Sequence, residues 1–267
     1  MKFSNSGYCL CCEQSTTFEC DGPNFRDDYK CTICGCLPRE RALMRVIDQM
    51  YPAWREAAIH ESSPMIARGA SARLMRDCPG YIGSQYFADV PPGEISQGWR
   101  CEDLEMLSFA SGSLDLQITQ DVLEHVFDPR RVFREIARTL RPGGMHIFTT
   151  PLVNKGRPTQ IAARRTKDGT VVHLIPPEYH GNPASPEGSL VTYRWGYDIV
   201  ESIDRSTGLP TRIVIQDMLD LGIRADLIEV LVTVTPFATE SLADRGRMWL
   251  LDRRRHRPRA SPRGRDC

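Results

Sequence analysis

Seven of the ten cysteines fall between residues 9 and 36, and their spacing is that of metal ligands. Cys9-x2-Cys12 is followed after 18 residues by Cys31-x2-Cys34. Two such pairs form two short knuckles whose sulfurs converge on a tetrahedral zinc ion. All four ligands would be thiolates, leaving no open coordination position, so the zinc is expected to be structural rather than catalytic. Cys11, Cys20 and Cys36 share the stretch. Cys11 could replace Cys12, and Cys36 could replace Cys34, although the x2 pairs suit knuckle geometry better. A zinc ribbon can also grip nucleic acid. Only Lys2, Arg26 and Lys30 supply positive charge before the second knuckle, which speaks against that use.

The rest of the composition sets bounds. At 267 residues the chain has room for one α/β domain and a small appendage. Its 41% hydrophobic and 25% charged content is ordinary for a soluble globular protein. No run of about 18 apolar residues predicts a membrane span, and "MKFSNSGYCLCCEQ" lacks the apolar core of a signal peptide. A cytoplasmic location follows, where thiols stay reduced. Lys+Arg and Asp+Glu are 34 each, yet "DRRRHRPRASPRGRDC", from Asp252 to the end, holds seven arginines and two aspartates. Residues 250–267 are therefore expected to be a disordered basic tail. It would suit nucleic acid, an anionic surface or an acidic partner.

Between these ends lie the elements that must position a site. Leu43, Val46, Ile47 and Met50 recur at helical spacing, so a helix joins the cysteine segment (residues 1–40) to a main domain over 41–240. Arg39 and Arg41 on it could line a ligand pocket or serve as surface and ion-pair residues. From residue 55 on, short apolar runs alternate with helical patterns, the sign of a parallel sheet with crossover helices. Strands are expected near Ala58–Glu61, Tyr81–Tyr86, Leu114–Thr119, Met145–Thr149, Arg212–Gln216 and Glu229–Val234. "FDPRRVFREIARTLRPGG" reads as the clearest helix, capped by Asp128, with Pro129 in its first turn and Gly143 or Gly144 at its end. Ligands of such doubly wound sheets bind beyond the carboxyl ends of the strands.

Residues 101–151, "CEDLEMLSFASGSLDLQITQDVLEHVFDPRRVFREIARTLRPGGMHIFTTP", resemble the class I S-adenosylmethionine-dependent methyltransferases. "EDLEMLSF" is similar to the family's acidic turn, Gly-Asp-x-x-x-Leu-Pro-Phe, with Glu102 and Ser108 as departures. "SGSLDLQITQDVLEHVFDP" and "LRPGGMHIFTTP" are similar to its fourth and fifth strands and their flanks. The resemblance implies a Rossmann-like, doubly wound α/β sheet of seven strands that binds S-adenosylmethionine at its carboxyl edge. Carried over by position, Asp103 would accept a hydrogen bond from the adenine amino group and Leu104 would pack on the ring. Gln120 and Asp121 would face the methionine portion. Glu124 and His125 are expected to cap and pack a helix, although His125 could face the substrate.

The first turn departs most. The family follows its first strand with an acid and a glycine-rich turn. Here Glu61 stands at the acidic position, to orient the methionine amine, and Ser62, Ser63 and Pro64 replace the glycines. Small Ser63 would still permit close approach, and Gln85 would meet the ribose hydroxyls without charge assistance. A long polar insert, near 154–192, should cover the cofactor mouth. It carries "Pro-Glu-Tyr-His", and methyl transfer to oxygen needs a base. His180 is the first candidate and His173 the second. The acceptor read from this loop is a small molecule, such as a sugar hydroxyl. The competing readings are a catalytically degenerate scaffold and a nucleic-acid-binding module built from ribbon and tail.

Overall fold

A computed structural model describes residues 2–182 and 185–237. The Arg-rich tail expected over 250–267 lies outside the described residues. The described residues up to Thr235 form one compact unit.

The cysteine segment is a three-stranded antiparallel sheet of β1 (Phe3–Cys9), β2 (Gln14–Cys20) and β3 (Tyr29–Cys31), with α1 (Phe25–Asp28) between the last two. Helix α2 (Pro38–Met50) follows. Pro38 tolerates its first turn because the missing N–H would have been unpaired there. Glu40 folds back to accept the Leu37 N–H at 2.6 Å. Leu43, Val46 and Ile47 are buried as the spacing predicts, and so is Arg41. The Arg41 guanidinium lies 4.5 Å from the centroid of the Phe18 ring and donates to the Tyr29 and Gly222 carbonyls. This arginine bolts the cysteine segment to the domain.

The domain continues through β4 (Ile59–Ser62), α3 (Gly69–Asp77), β5 (Tyr81–Gln85), β6 (Ile95–Ser96), β7 (Trp99–Cys101), β8 (Leu114–Gln120), α4 (Pro129–Thr139) and β9 (Leu140–Thr149). An insert of short strands comes next: β10 (Gln160–Ile161), β11 (Ala163–Arg165), β12 (Val171–His173), β13 (Tyr179–Asn182), β14 (Ser185–Leu190) and β15 (Tyr193–Arg194). The chain then forms α5 (Ile199–Thr207), β16 (Thr211–Val214) and β17 (Val230–Val234). The central sheet has the order β16-β17-β9-β8-β4-β5-β7-β6. Strands β7, β5, β4, β8 and β9 run parallel, whereas β17, β16 and β6 join antiparallel. Among the described residues the sheet therefore has eight strands, not the expected seven. The extra one, Ile95–Ser96, is a two-residue hairpin partner of β7.

Both faces are covered. One core cluster combines Phe18 and Tyr29 of the cysteine segment with Leu43 and Ile47 of α2 and Ile118, Ile147 and Val230 of the sheet. The other collects Val132, Phe133 and Ile136 of α4 with Trp195, Ile199 and Phe148. Asp128 caps α4 as expected, accepting from the Arg130 and Arg131 N–H groups at 3.1 and 3.2 Å. The helix ends before Gly143, because Leu140 already turns extended (φ −73°, ψ 139°) and Arg141 precedes Pro142, which disfavours helical backbone.

Candidate functional site

Strand β4 is flanked by β5 on one side and β8 on the other, which makes it the point where the strand order reverses. Beyond its carboxyl end opens a cavity of about 720 Å³, a normal size for a small-molecule site. Ser63, Gln85, Asp103, Leu104, Gln120 and Asp121 all line it, as does His180 from the insert. Glu61 is not among its lining residues, and His173 is exposed on β12.

The serine turn keeps the shape of a glycine turn. Ser63 has φ 55°, a left-handed backbone that glycine adopts without steric penalty and other residues adopt at a cost. Its N–H donates to the Ser84 carbonyl at 2.8 Å, fixing the turn to β5. The glycine this segment does carry is Gly69 (φ 73°), where a Cβ would come within 2.5 Å of the Glu40 carboxyl carbon.

Glu61 lies fully buried beneath the cavity floor. Ser71 Oγ and Gln120 Nε2 donate to its Oε1 at 2.8 and 2.6 Å, and Tyr81 Oη donates to Oε2 at 2.7 Å. Burial raises its pKa above the usual carboxylate value. Its carboxylate thus holds Gln120 in place from below. Asp121 also adopts left-handed backbone, at φ 53°, which aspartate tolerates better than most residues. Its Oδ1 accepts from Thr149 Oγ1 at 2.9 Å, and its Oδ2 meets Arg26 Nη2 at 2.5 Å and Arg39 Nε at 3.2 Å.

Arg26 and Asp27 of α1 and Arg39 and Glu40 of α2 therefore form one wall of the cavity. Nothing in the sequence assigns Arg26 to this site. Its partner Asp121 is 95 residues away, and the only local signal is a cluster of charge beside the knuckle.

In the acidic turn, Asp103 Oδ1 accepts the Glu105 N–H at 2.8 Å. The two departures from the family pattern are partners. Ser108 Oγ and N donate to buried Glu102 at 2.5 and 2.8 Å, and Arg100 Nε supplies the countercharge at 2.6 Å. A glycine and a proline have been exchanged for a closed polar pair.

On the opposite side, residues 121–128 form no helix, so Glu124 and His125 do not cap or pack one as expected. Glu124 is buried, and its Oε2 accepts from Thr150 Oγ1 at 2.9 Å. Among the described residues its Oε1 has no hydrogen-bond partner. Burial pushes its pKa up to about 8. His125 Nε2 lies 3.7 Å and His180 Nδ1 3.8 Å from this orphaned oxygen. All three residues line the cavity.

In the cysteine segment, the Sγ atoms of Cys9, Cys12, Cys31 and Cys34 lie within 4.8 Å of one another. Cys9–Cys34 and Cys12–Cys31 are 3.8 and 3.9 Å apart, close to the about 3.8 Å edge of a tetrahedron with 2.3 Å zinc–sulfur bonds. This donor set fits a zinc ion. Cys11 and Cys36 form a second group with Cys9, and Arg41 Nη1 donates to Cys36 Sγ at 3.3 Å.

Residues 84–148 match the family model described as a methyltransferase domain. Over 57 residues the chain is 32% identical to the ubiquinone biosynthesis O-methyltransferase of Coxiella burnetii, covering 21% of this chain and 24% of that protein. Over 52 residues it is 38% identical to the dimethylglycine N-methyltransferase of Parasynechococcus marenigrum, covering 20% and 19%. The chain spans about a quarter or less of the length of these relatives. Among solved structures, an S-adenosylmethionine dependent methyltransferase from Mesorhizobium loti aligns over 72% of this chain and 97% of its own, at 17% identity and a TM-score of 0.46. The family match includes Gln85, Asp103, Leu104, Gln120 and Asp121 and leaves out the serine turn, the insert and the cysteine segment. Among the described residues no helix is long and apolar enough to cross a membrane.

Proposed function

We propose that the chain binds S-adenosylmethionine in this cavity and transfers its methyl group to a hydroxyl of a small-molecule acceptor. The observation that carries the reading is the convergence of six candidate cofactor residues, from the ends of β4, β5, β7 and β8, on one cavity at the switch point. The methyltransferase-domain match over residues 84–148 supports it. In this reading Asp103 accepts from the adenine amino group, Leu104 packs on the ring and Gln85 meets the ribose. Gln120 and Asp121 face the methionine portion, and Ser63 lets the backbone come close. Glu61 acts through Gln120, since its oxygens are already engaged. Arg26 and Arg39 offer positive charge to the cofactor's carboxylate. The acceptor enters beside the insert, where His180 is placed to take its proton, whereas exposed His173 is not. Alignment of the acceptor oxygen with the methyl carbon does most of the work in such a displacement.

We further propose that Cys9, Cys12, Cys31 and Cys34 hold one structural zinc, in a reducing compartment such as the cytoplasm.

Isothermal titration with S-adenosylmethionine and S-adenosylhomocysteine tests the central claim. One equivalent of either should bind, and Asp103→Ala should weaken binding about fivefold to tenfold, for a hydrogen bond worth about 1 kcal/mol or slightly more. No heat at millimolar ligand would leave a degenerate scaffold as the better description.

A further inference from the structure

The three groups around the orphaned Glu124 oxygen present lone pairs to one another. His125 Nδ1 lies 2.9 Å from the Leu190 carbonyl. A carbonyl only accepts, so Nδ1 carries the proton and the neutral ring turns the bare Nε2 toward Glu124. His180 Nε2 lies 3.4 Å from Glu178 Oε1, and Arg194 holds that carboxylate at 2.7 Å. An Nε2 proton donated there leaves the bare Nδ1 toward Glu124. With Glu124 ionised and both rings neutral, two imidazole lone pairs and one carboxylate oxygen converge with no donor among them. Such an arrangement takes up a proton or a cation.

We propose that Glu124, His125 and His180 form a binding site for a first-row divalent metal ion. Each outer histidine nitrogen is tied to a carbonyl or carboxylate, the arrangement that orients metal-bound imidazoles. Two imidazoles and one carboxylate suit manganese, iron, cobalt or zinc better than magnesium or calcium. Ligands on one ion at bonds of about 2.1 Å sit roughly 3.0 Å apart at right angles and 3.4 Å apart in a tetrahedron. The observed 3.7 and 3.8 Å close to these values by small side-chain rotations. Other coordination positions would face the cavity.

The role of the ion, unlike its binding, rests on the methyl-transfer reading. An acceptor hydroxyl bound to it becomes more acidic and releases its proton to water. The oxygen then bonds to the methyl carbon as the sulfur–methyl bond breaks, leaving a neutral thioether. His180 is then a ligand, not a base.

The test uses full-length protein carrying one equivalent of zinc, verified by elemental analysis, so that the four thiolates are filled and the imidazole–carboxylate cluster is left free. Mn2+ is titrated and the free ion followed by its paramagnetic resonance. One equivalent should bind at micromolar to sub-millimolar concentration. Affinity should fall at least tenfold in Glu124→Gln and in His180→Ala, the latter removing a half-exposed ring whose loss does not threaten folding. No uptake by the wild type at millimolar Mn2+, or unchanged uptake in both variants, overturns the proposal. Calorimetry with S-adenosylmethionine on the same samples reads the methyltransferase proposal separately. Cofactor binding without Mn2+ uptake leaves a proton-sharing cluster with His180 as base, whereas Mn2+ uptake without cofactor binding removes the transfer chemistry but keeps the metal site.

Discussion

A single backbone angle decides how the serine turn should be read. At φ 55° Ser63 does what a glycine would do there, at a conformational cost of about 1–2 kcal/mol. Ser63→Gly removes that cost but gives the unfolded chain about 0.4–1 kcal/mol of extra freedom. The net expectation is a gain of about 0–1.6 kcal/mol in urea unfolding, with cofactor affinity unchanged or raised. A loss of stability would show that the serine side chain carries an interaction of its own. Ser63→Val should do the opposite, since a β-branched residue fits left-handed backbone poorly. The same logic applies to Glu102 and Ser108, whose mutual hydrogen bonds make a double departure from the family pattern self-consistent.

Among the elements, the cysteine segment differs most from the appendage its sequence suggests. It shares a hydrophobic core with α2 and the sheet, and Arg73, almost fully buried, ties it to α3 through the Leu10 carbonyl and Glu13 at 2.9 and 2.8 Å. Because α1 delivers Arg26 to Asp121, loss of the proposed zinc should disturb the cavity as well as the cysteine segment. Cys31→Ser is expected to cost several kcal/mol of stability and to weaken S-adenosylmethionine binding at least tenfold. Calorimetry at a temperature where the variant remains folded checks this, and undiminished affinity would mean that the segment folds and acts alone. The knuckle spacing, the α4 cap and six strands were legible because each is written locally, in ligand spacing, a capping Asp128 or apolar runs. Strands β6 and β7 were not, since two or three residues carry no periodicity. The cavity wall was also hidden, because no local pattern pairs Arg26 with Asp121, or His180 with Glu124 and His125.

At the scale of the whole molecule, four buried titratable groups give opposing pH dependences. His60, held between Gln117 and Ser84 at 2.7 and 2.8 Å, is lowered by burial from 6.5 to about 4, and His146 to about 3. Below pH 6.5 the unfolded chain takes up two protons that the native state refuses, so stability falls as the pH drops toward these values. Glu61 and Glu124 act with the other sign. Burial raises both, so above 4.5 the native state keeps protons that the unfolded chain has released, and this stabilisation disappears as the pH rises, for Glu124 through about 8. Between 4.5 and 6.5 Glu124 offsets part of the gain from the two histidines, and Glu61 adds to that offset. The protein without added divalent metal should therefore be most stable near pH 6.5 and lose stability from there to 8, with Glu124 contributing about 1.4 kcal/mol per pH unit at full slope. Glu124→Gln keeps the shape and cannot ionise, so its melting temperature should decline less over that range than the wild type's, by about 2–4 °C for each kcal/mol removed. Saturating Mn2+ should also flatten the wild-type decline, because a bound cation favours the ionised carboxylate. An identical decline in wild type and Glu124→Gln would mean that Glu124 is already ionised in the folded protein at pH 6.5, and that some other group faces its Oε1.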